Sequence, residues 1–214
     1  MDQDNRLTKT KEQWVKARRG GEEREVFYEG DDRLPPGQHL VETFPVLDLG
    51  FKPDIPLSEW KLTIGGFVTN PVTWSWDDFL AQPQFKDRSD FHCVTSWSRY
   101  DNDWEGVSFK QLMSVVKPLS LAKFVLFKSY DDYTTNLPIE VCDDADVLLT
   151  YKWNGKPLTK EHGGPVRVIV PKRYAWKGAK FVSGITFLAE DKLGFWEVRG
   201  YSNTADPWTE DRYA

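Results

Sequence analysis

The chain has 214 residues, of which 40% are hydrophobic and 14% aromatic, and its formal net charge is −5. This length suits one large domain or two small ones, and the apolar content suffices for one substantial core. The acidic balance argues against general nucleic-acid binding, which needs a basic face, and no run approaches the roughly 18–20 apolar residues that cross a bilayer.

The N-terminal segment differs in character from the rest of the chain. Residues 1–30 are polar and lack strong periodicity, which predicts a tail or a loosely packed arm. Trp14 and Val15 are its candidates for contact with the body of the protein. We therefore predict an arm at residues 1–30 and a single domain at residues 31–214.

The location of the protein is predicted from what the N-terminus lacks. Its charged sequence contains no apolar segment, and the twin arginine is followed by Gly-Gly-Glu-Glu, so a secretory or export signal is not indicated. We expect a cytoplasmic monomer in which Cys93 and Cys142 are both reduced.

The first half of the chain predicts strands and two short helices. Prolines 35, 36 and 45 favour an extended start, and alternation over residues 59–68 predicts a half-buried strand. Ser75 is expected to cap a helix over residues 76–81. A short strand over residues 91–95 then leads into a loop, and Ser108 caps a second helix.

The second half is dominated by strands, predicted over residues 122–127, 147–153, 165–170 and 180–188. Asn154-Gly155 is typical of a hairpin turn. Because strands are many, helices few and the βαβ alternation absent, we predict an α+β fold with mixed or antiparallel sheets.

Cys93 lies in the sequence DFHCVTSWSRYDNDWEGVSF, and three roles are open for it. It could be an inert buried residue, a nucleophile or a single thiolate ligand to a soft metal. His92 is poorly placed as its base, because neighbouring residues on a strand point to opposite faces. Zinc is disfavoured, since the chain has no CxxC or HExxH motif and its three histidines are far apart.

A second group of candidates is concentrated in residues 161–180, EHGGPVRVIVPKRYAWKGAK. Arg167 interrupts an apolar strand, where an unpaired charge would be costly, so it needs an anion. The segment also offers His162, the cations Lys172, Arg173, Lys177 and Lys180, and the backbone N–H groups of Gly178 and Ala179. It predicts a phosphate cradle. The alternative is a solvated basic turn with Arg167 paired to an internal carboxylate.

The remaining polar and aromatic segments are less informative alone. Residues 129–135 have the composition of an ordinary polar loop, and the aromatic C-terminal segment is expected to pack on the body. Trp196, Tyr201 and Trp208 are interpreted as core or lid residues rather than as part of a site.

Together these segments resemble a known family. HCVTSWS, WEGVSF, HGGPVRVIVPKRYAWKGAK and GFWEVRGY, in this order, are similar to the sulfite-oxidase-type molybdopterin-binding domain, in particular its compact prokaryotic oxidoreductase branch. The resemblance covers roughly residues 34–213 and implies that family's fold, with mixed β-sheets and short helices.

The resemblance also implies a cofactor and a set of site residues. Cys93 matches the single cysteine whose thiolate binds molybdenum, and Tyr133 matches a tyrosine beside the open position of the metal. His162, Arg167, Gly178, Ala179 and Lys180 match the positions that hold the pterin and its phosphate. Ser129 or Asp131 and the loop of residues 38–43, with Val41 and Thr43, match further contacts.

The chain departs from the sulfite oxidases at the substrate position. They place arginines just after the ligand cysteine and in the N-terminal contact loop, where this chain has Thr95-Ser96-Trp97-Ser98 and Val41-Glu42-Thr43. A doubly charged oxyanion would meet too little positive charge, which argues against sulfite as substrate.

We therefore predict a molybdenum-cofactor-dependent oxidoreductase that transfers an oxygen atom to or from a small molecule in a two-electron reaction. S-oxide or N-oxide reduction and oxidation of a small substrate are both open, with Trp97, Trp104 and Tyr133 shaping the pocket. No haem or flavin motif is present, so an external electron partner is expected. The alternatives are a non-catalytic molybdopterin-binding or carrier module and a metal-free cysteine enzyme.

Overall fold

The computed structural model describes residues 8–13 and 33–214, and Trp14 and Val15 lie outside these ranges. Residues 8–13 are helical (α1). The other described helices are α2 (Trp76–Ala81), α3 (Phe109–Val116) and α4 (Ile139–Cys142), with 3-10 turns at Lys160–His162, Ala175–Lys177 and Glu197–Arg199. No helix in the described part of the chain is long and apolar enough to cross a membrane.

The strands follow one another along the chain as β1 (His39–Leu40), β2 (Lys61–Gly66), β3 (Val72–Ser75), β4 (Phe85–Cys93), β5 (Trp97–Ser108), β6 (Phe124–Ser129), β7 (Thr134–Pro138), β8 (Leu148–Trp153), β9 (Lys156–Pro157), β10 (Arg167–Ile169) and β11 (Val182–Leu188).

These strands form two sheets. In the five-stranded sheet the order is β3-β2-β11-β6-β7, with β2 and β11 parallel and the other neighbours antiparallel. In the six-stranded sheet the order is β1-β5-β8-β10, with β4 paired to β5 and β9 paired to β8. The predicted combination of mixed sheets and short helices is confirmed.

The predicted helix caps are confirmed. The Ser75 hydroxyl accepts from the Asp78 N–H, and the Asp78 carboxylate accepts from the Ser75 N–H, which forms a capping box at α2. The Ser108 hydroxyl accepts from the Gln111 N–H at 3.1 Å and begins α3. Both caps satisfy backbone donors that a helix leaves without partners, so they set where the helices begin.

Two predicted loops are present but shorter than expected. The loop after Cys93 is limited to residues 94–96 and leads into β5, a 12-residue strand. The polar loop predicted at residues 129–135 is limited to residues 130–133, because β7 begins at Thr134 on the edge of the five-stranded sheet. The many polar side chains of β5 concealed it, because its charged residues pair across the hairpin: Arg88 on β4 binds Asp103 at 2.7 Å. Cross-strand pairs of this kind stabilise a strand that lacks clean apolar alternation.

The six-stranded sheet buries side chains on both faces. Leu149 and Val168 belong to the main core, which also contains residues of the five-stranded sheet and of α3. Their neighbours Leu148 and Ile169 belong to a second, smaller cluster with Phe91, Cys93, Trp97, Trp104 and Leu158. Because successive strand residues point to opposite faces, Arg167 shares the face of Ile169 and is directed to the Cys93 cluster.

Candidate active site

Cys93 is the last residue of β4 and lies at the end of the β4–β5 hairpin. The Ser96 N–H donates to the Cys93 carbonyl at 3.1 Å and closes the turn, in which Ser96 has a φ of 70°. The Gln38 side chain donates to the same carbonyl at 3.2 Å. The thiol is therefore held on a backbone that is fixed from two sides.

Cys93 opens onto a cleft of about 870 Å³, a volume that includes the solvent at its mouth. Seven of the residues predicted for the site line this cleft: Cys93, Asp131, Tyr133, His162, Arg167, Gly178 and Lys180. They come from four separate parts of the chain. The tertiary fold thus brings together residues that the sequence linked only by resemblance and by composition.

Arg167 is a buried cation without a described counter-charge. It is 2% exposed, and its guanidinium carbon lies 5.1 Å from the centre of the Phe91 ring. One Nη donates to the His162 carbonyl at 3.1 Å, whereas the buried Nε has no hydrogen-bond partner. Burial lowers the pKa of Arg167 to about 10. The described structure contains no internal carboxylate that pairs with Arg167, and so the alternative of an internal ion pair is not supported.

Lys180 brings a second cation to the cleft. Its ammonium donates to the Leu47 carbonyl at 2.7 Å and to the Glu161 carbonyl at 2.8 Å. Burial and the neighbouring charge of Arg167 lower the pKa of Lys180 to about 7. Two neutral carbonyls orient this group without supplying a counter-charge, and an anion bound beside it would favour its protonated form.

Gly163 shapes the cleft beside Lys180. It has a φ of +98°, and a Cβ built on it would lie 2.7 Å from Cγ and 2.8 Å from Cβ of Lys180. A glycine is needed both for the backbone conformation and for this close approach. The sequence prediction that Gly163-Gly164 allows close contact is confirmed at this position, although the contact is with a side chain of the same protein.

His162 lies against an aromatic residue of the N-terminal segment. Its Nε2 is 3.0 Å from the Phe44 carbonyl oxygen and its Nδ1 is 3.2 Å from Thr159 Oγ1, while the His162 and Phe44 rings are 4.3 Å apart. Burial is the main cause of the lowered pKa of His162. The ring therefore offers a neutral polar surface rather than a third cation.

Tyr133 stands on an aromatic wall of the cleft. Its hydroxyl donates to the Trp176 carbonyl at 2.5 Å, and burial raises its pKa well above the usual value. The wall continues through Trp176, Tyr201 and Trp196, whose rings follow at 5.2 and 5.1 Å. Trp196 and Tyr201, which the sequence analysis assigned to core or lid, are buried and also line the cleft.

Two acidic residues and one lysine complete the lining. Asp131 is partly buried, which raises its pKa to about 6, and Asp48 forms an ion pair with Lys52 at 3.0 Å. Lys11, on α1, also lines the cleft. Burial lowers the pKa of Lys11, while the charges of Cys93 and Asp48 act in the opposite direction.

Four predicted site residues are not part of the cleft wall. Ser129 and Ala179 are buried behind it, with 1% and 0% exposure. Val41 and Thr43 do not line it either: the Val41 N–H donates to the Ser98 carbonyl at 2.9 Å beyond the end of β1. The N-terminal contacts come later in the chain than predicted, from Phe44, Pro45, Leu47, Asp48 and Leu49.

The backbone part of the predicted phosphate cradle needs correction at Gly178. Its N–H donates to the Ala175 carbonyl at 3.1 Å within the protein. Gly178 lines the cleft, but its own N–H is used to end a 3-10 turn. The side chains of Arg167 and Lys180 are thus the main donors.

Three predicted cations lie away from the cleft. Lys172 pairs with Asp144 at 2.9 Å on the surface, and Arg173 donates to a neighbouring backbone carbonyl. Lys177 is fully buried and pairs with Glu197 at 2.7 Å. Trp104 also does not line the cleft, since it lies within the second cluster at 1% exposure.

His92 is separate from the Cys93 thiol, as alternation predicts. Its Nδ1 is 2.8 Å from Ser98 Oγ, and its ring packs on Trp208. Burial raises the pKa of Cys93, although the Thr95 hydroxyl, 3.2 Å from Sγ, acts against the shift. A thiol in this setting is a poor free nucleophile, which disfavours the metal-free cysteine enzyme.

Within the described residues, no three His, Cys, Asp or Glu side chains are grouped as a metal site. A metal on Cys93 would need its other ligands from a cofactor. Comparison with known families decides which cofactor this is. Residues 50–196 match the family model for the oxidoreductase molybdopterin binding domain. The chain belongs to this family.

Relatives at higher and lower identity support this membership. The chain is 40% identical over 185 residues to the uncharacterized oxidoreductase YuiH of Bacillus subtilis, a match that covers 85% of this chain and 92% of YuiH. It is 30% identical over 155 residues to the MsrP catalytic subunit of protein-methionine-sulfoxide reductase from Campylobacter jejuni, covering 64% of this chain and 52% of MsrP.

A solved structure shows the same fold. The sulfane dehydrogenase SoxCD of Paracoccus pantotrophus aligns with a TM-score of 0.60 at 20% identity, covering 65% of this chain and 40% of that one. This confirms the predicted sulfite-oxidase-like molybdopterin fold, and the chain is a molybdopterin-dependent oxidoreductase.

The cleft of this oxidoreductase fits its cofactor chemically. A pterin phosphate is an anion, and Arg167 offers a buried N–H that lacks a partner. The cofactor dithiolene is a soft sulfur donor set, to which one protein thiolate is a suitable addition. Cys93 and Arg167 line the same cleft, so one bound molecule can meet both requirements.

Proposed function

We propose that this oxidoreductase transfers an oxygen atom to or from a small molecule, with the Cys93 thiolate as the protein's ligand to molybdenum. The observation that carries this proposal is the presence of one buried thiol and one buried, unneutralised guanidinium in a single cleft. When bound, the molybdenum cofactor supplies the two-electron redox change that oxygen-atom transfer requires.

The two sides of the cleft have different roles in this proposal. Arg167 and Lys180 hold the phosphate end of the pterin by charge-assisted hydrogen bonds, and His162 offers a neutral contact. The aromatic wall with Tyr133 faces the substrate and excludes water. The Tyr133 hydroxyl, whose pKa is raised by burial, remains protonated at neutral pH and donates its hydrogen bond to the Trp176 carbonyl, which fixes the ring in this wall.

Sulfite does not suit this cleft. The first cation that follows the cysteine in sequence is Arg99, whose Nε donates to the Glu42 carbonyl at 3.1 Å while its guanidinium lies over the Trp153 ring at 4.8 Å. Arg99 does not line the cleft. A dianion at the substrate position would therefore lack the positive charge that a buried oxyanion needs.

Reduction of an S-oxide is the direction that we propose. The related MsrP is the catalytic subunit of a protein-methionine-sulfoxide reductase, and this chain spans about half of its length. Reduction of a sulfoxide consumes two electrons and two protons and releases the sulfide and water. The electrons are proposed to come from an external partner, and the cytoplasmic location and monomeric state stay predictions.

Replacement of the proposed ligand tests the first step. Cys93→Ser, expressed in a molybdate-replete host, is expected to lose most of its molybdenum because a neutral hydroxyl replaces the thiolate. Cys142→Ser is the matched control, since Cys142 is a buried free cysteine outside the cleft. Elemental analysis of the purified proteins measures this. Wild type without molybdenum, or Cys93→Ser with full content, would contradict the proposal.

A spectroscopic cycle separates the enzyme from a carrier. The visible absorption of the holoenzyme is expected to change with dithionite and to recover on addition of a sulfoxide under anaerobic conditions. A carrier module would bind the pterin but show no recovery with S-oxides or N-oxides. This result would leave the cofactor assignment intact and overturn the proposed reaction.

A further inference from the structure

Helix α1 contributes Lys11 to the lining of the cleft, far in sequence from the other residues that line it. Thr8 is 1% exposed, and the Glu12 carboxylate forms an ion pair with Arg199 at 2.8 Å. Arg199 is itself held over the Phe195 ring at 3.8 Å. These contacts attach the helix to the C-terminal segment that carries part of the aromatic wall.

Lys11 extends from this helix to the aromatic wall. Its ammonium lies 5.1 Å from the centre of the Trp196 ring. Trp196 packs on Phe195 at 5.0 Å, and Phe195 packs on Tyr133 at 5.9 Å. Arg167 instead contacts Phe91 and Phe44. The Lys11 charge is thus beside the aromatic wall, which we assign to the substrate, and within electrostatic range of Cys93.

The Lys11 ammonium lies within electrostatic range of Cys93 and Asp48, whose charges act to raise its pKa. Among the described residues, no carboxylate lies within ion-pair distance of it. Asp48, the carboxylate whose charge acts on Lys11, already pairs with Lys52 at 3.0 Å. A half-buried ammonium whose close contact among the described residues is an aromatic ring is costly, and an anion in the cleft would lower that cost.

We propose that Lys11 binds an anionic group of the substrate, so that the enzyme acts on a small S-oxide that also carries a single negative charge, such as a carboxylate. This inference rests on the proposed function and narrows its substrate class. One ammonium over an aromatic wall suits a monoanion with an apolar body, because a dianion would need more positive charge than Lys11 supplies.

Two matched probes test the proposal without turnover. (Methylsulfinyl)acetate carries a carboxylate, and (methylsulfinyl)acetamide is its neutral counterpart of similar size. Isothermal titration of each into oxidised wild-type holoenzyme is expected to show tighter binding of the carboxylate. Lys11→Met should weaken carboxylate binding by about tenfold or more, the effect of losing a charge-assisted hydrogen bond, and change amide binding by less than about twofold.

Two further variants control for the helix itself. Lys9→Met removes a charge from the exposed side of α1, where Lys9 does not line the cleft, and should leave both affinities unchanged. Lys11→Arg keeps the positive charge and should retain most of the preference for the carboxylate. If Lys9→Met weakens binding as much as Lys11→Met, a general surface effect explains the result and the proposal is wrong.

The remaining outcomes are also decisive. Equal binding of the two probes by wild type, or binding of neither, overturns the proposal. A loss of molybdenum and pterin in purified Lys11→Met would place Lys11 on the cofactor rather than on the substrate, and would also overturn it. Failure of the holoenzyme to reduce either sulfoxide, with the binding preference intact, counts against the proposed reaction and not against Lys11.

Discussion

Arg167 occupies a position in an apolar strand at which a charge would ordinarily be excluded. Alternation along β10 places it on the face of Ile169 and Cys93, and the fold supplies aromatic rings rather than a carboxylate. Its buried Nε has no partner. The buried charge of Arg167 lowers the stability of the cofactor-free protein but helps to bind an anionic cofactor. Its replacement should therefore affect stability and cofactor binding in opposite directions.

Arg167→Met is expected to produce this separation. The cofactor-free variant should be as stable as wild type or more stable, because a desolvated charge is removed, while the purified variant retains much less pterin. Urea unfolding and pterin analysis measure the two effects. Lys172→Met, which removes an exposed ion pair worth about 0–1 kcal/mol, is the control. Marked destabilisation of cofactor-free Arg167→Met would contradict the argument.

At the scale of elements, short connections determine where the functional side chains lie. The β4–β5 hairpin ends at Cys93, and the turn of residues 160–163 brings Gly163 against Lys180. Each connection depends on a backbone conformation with positive φ, at Ser96 and at Gly163. The site is therefore positioned by turns, whereas the strands supply the rigid support.

Gly163→Ala tests this dependence. The added Cβ meets the Lys180 side chain and adopts an unfavourable φ, so we expect a loss of about 2–4 kcal/mol in the free energy of unfolding. Gly155→Ala has a φ of +75° but no atom within 4 Å, so it should lose only the strain, about 1–2 kcal/mol. Urea unfolding of both variants measures these losses. Equal losses of unfolding free energy in the two variants would show that contact with Lys180 is unimportant.

At the scale of the whole molecule, a buried ion pair joins the β7 edge of the five-stranded sheet to the C-terminal segment. The Lys177 ammonium lies 2.7 Å from Glu197 and donates to the Asn136 carbonyl at 3.0 Å. Glu197 also accepts from Thr135 at 2.9 Å and from the Trp176 ring N–H at 3.2 Å. The Lys177–Glu197 ion pair therefore helps to hold Trp176, a member of the aromatic wall, in position.

Lys177→Met should cost about 3–5 kcal/mol in the free energy of unfolding, because it leaves the Glu197 charge buried and unpaired. The double variant Lys177→Met/Glu197→Gln removes both charges and keeps an acceptor for Thr135 and Trp176, so its loss should be smaller than that of the single variant. Denaturant unfolding of the cofactor-free proteins measures both. A double variant less stable than the single one would contradict this account.

Local patterns in the sequence determined the individual structural elements of this protein and its family. Neighbouring residues were enough to predict the caps at Ser75 and Ser108, the strand that contains Arg167 and the separation of His92 from Cys93. The order of several short motifs was enough to predict the family. Such features can be predicted because backbone geometry and side-chain alternation act over a few residues.

The tertiary structure alone decided which charges face the cleft. Lys177 and Lys180 are three residues apart in one basic segment, yet one is buried against Glu197 and the other lines the cleft. Lys11 and the lining residues between Phe44 and Leu49 are far in sequence from the rest of the site. The reason is physical: the partner of each charge is far away in sequence, and only packing sets which partner it meets.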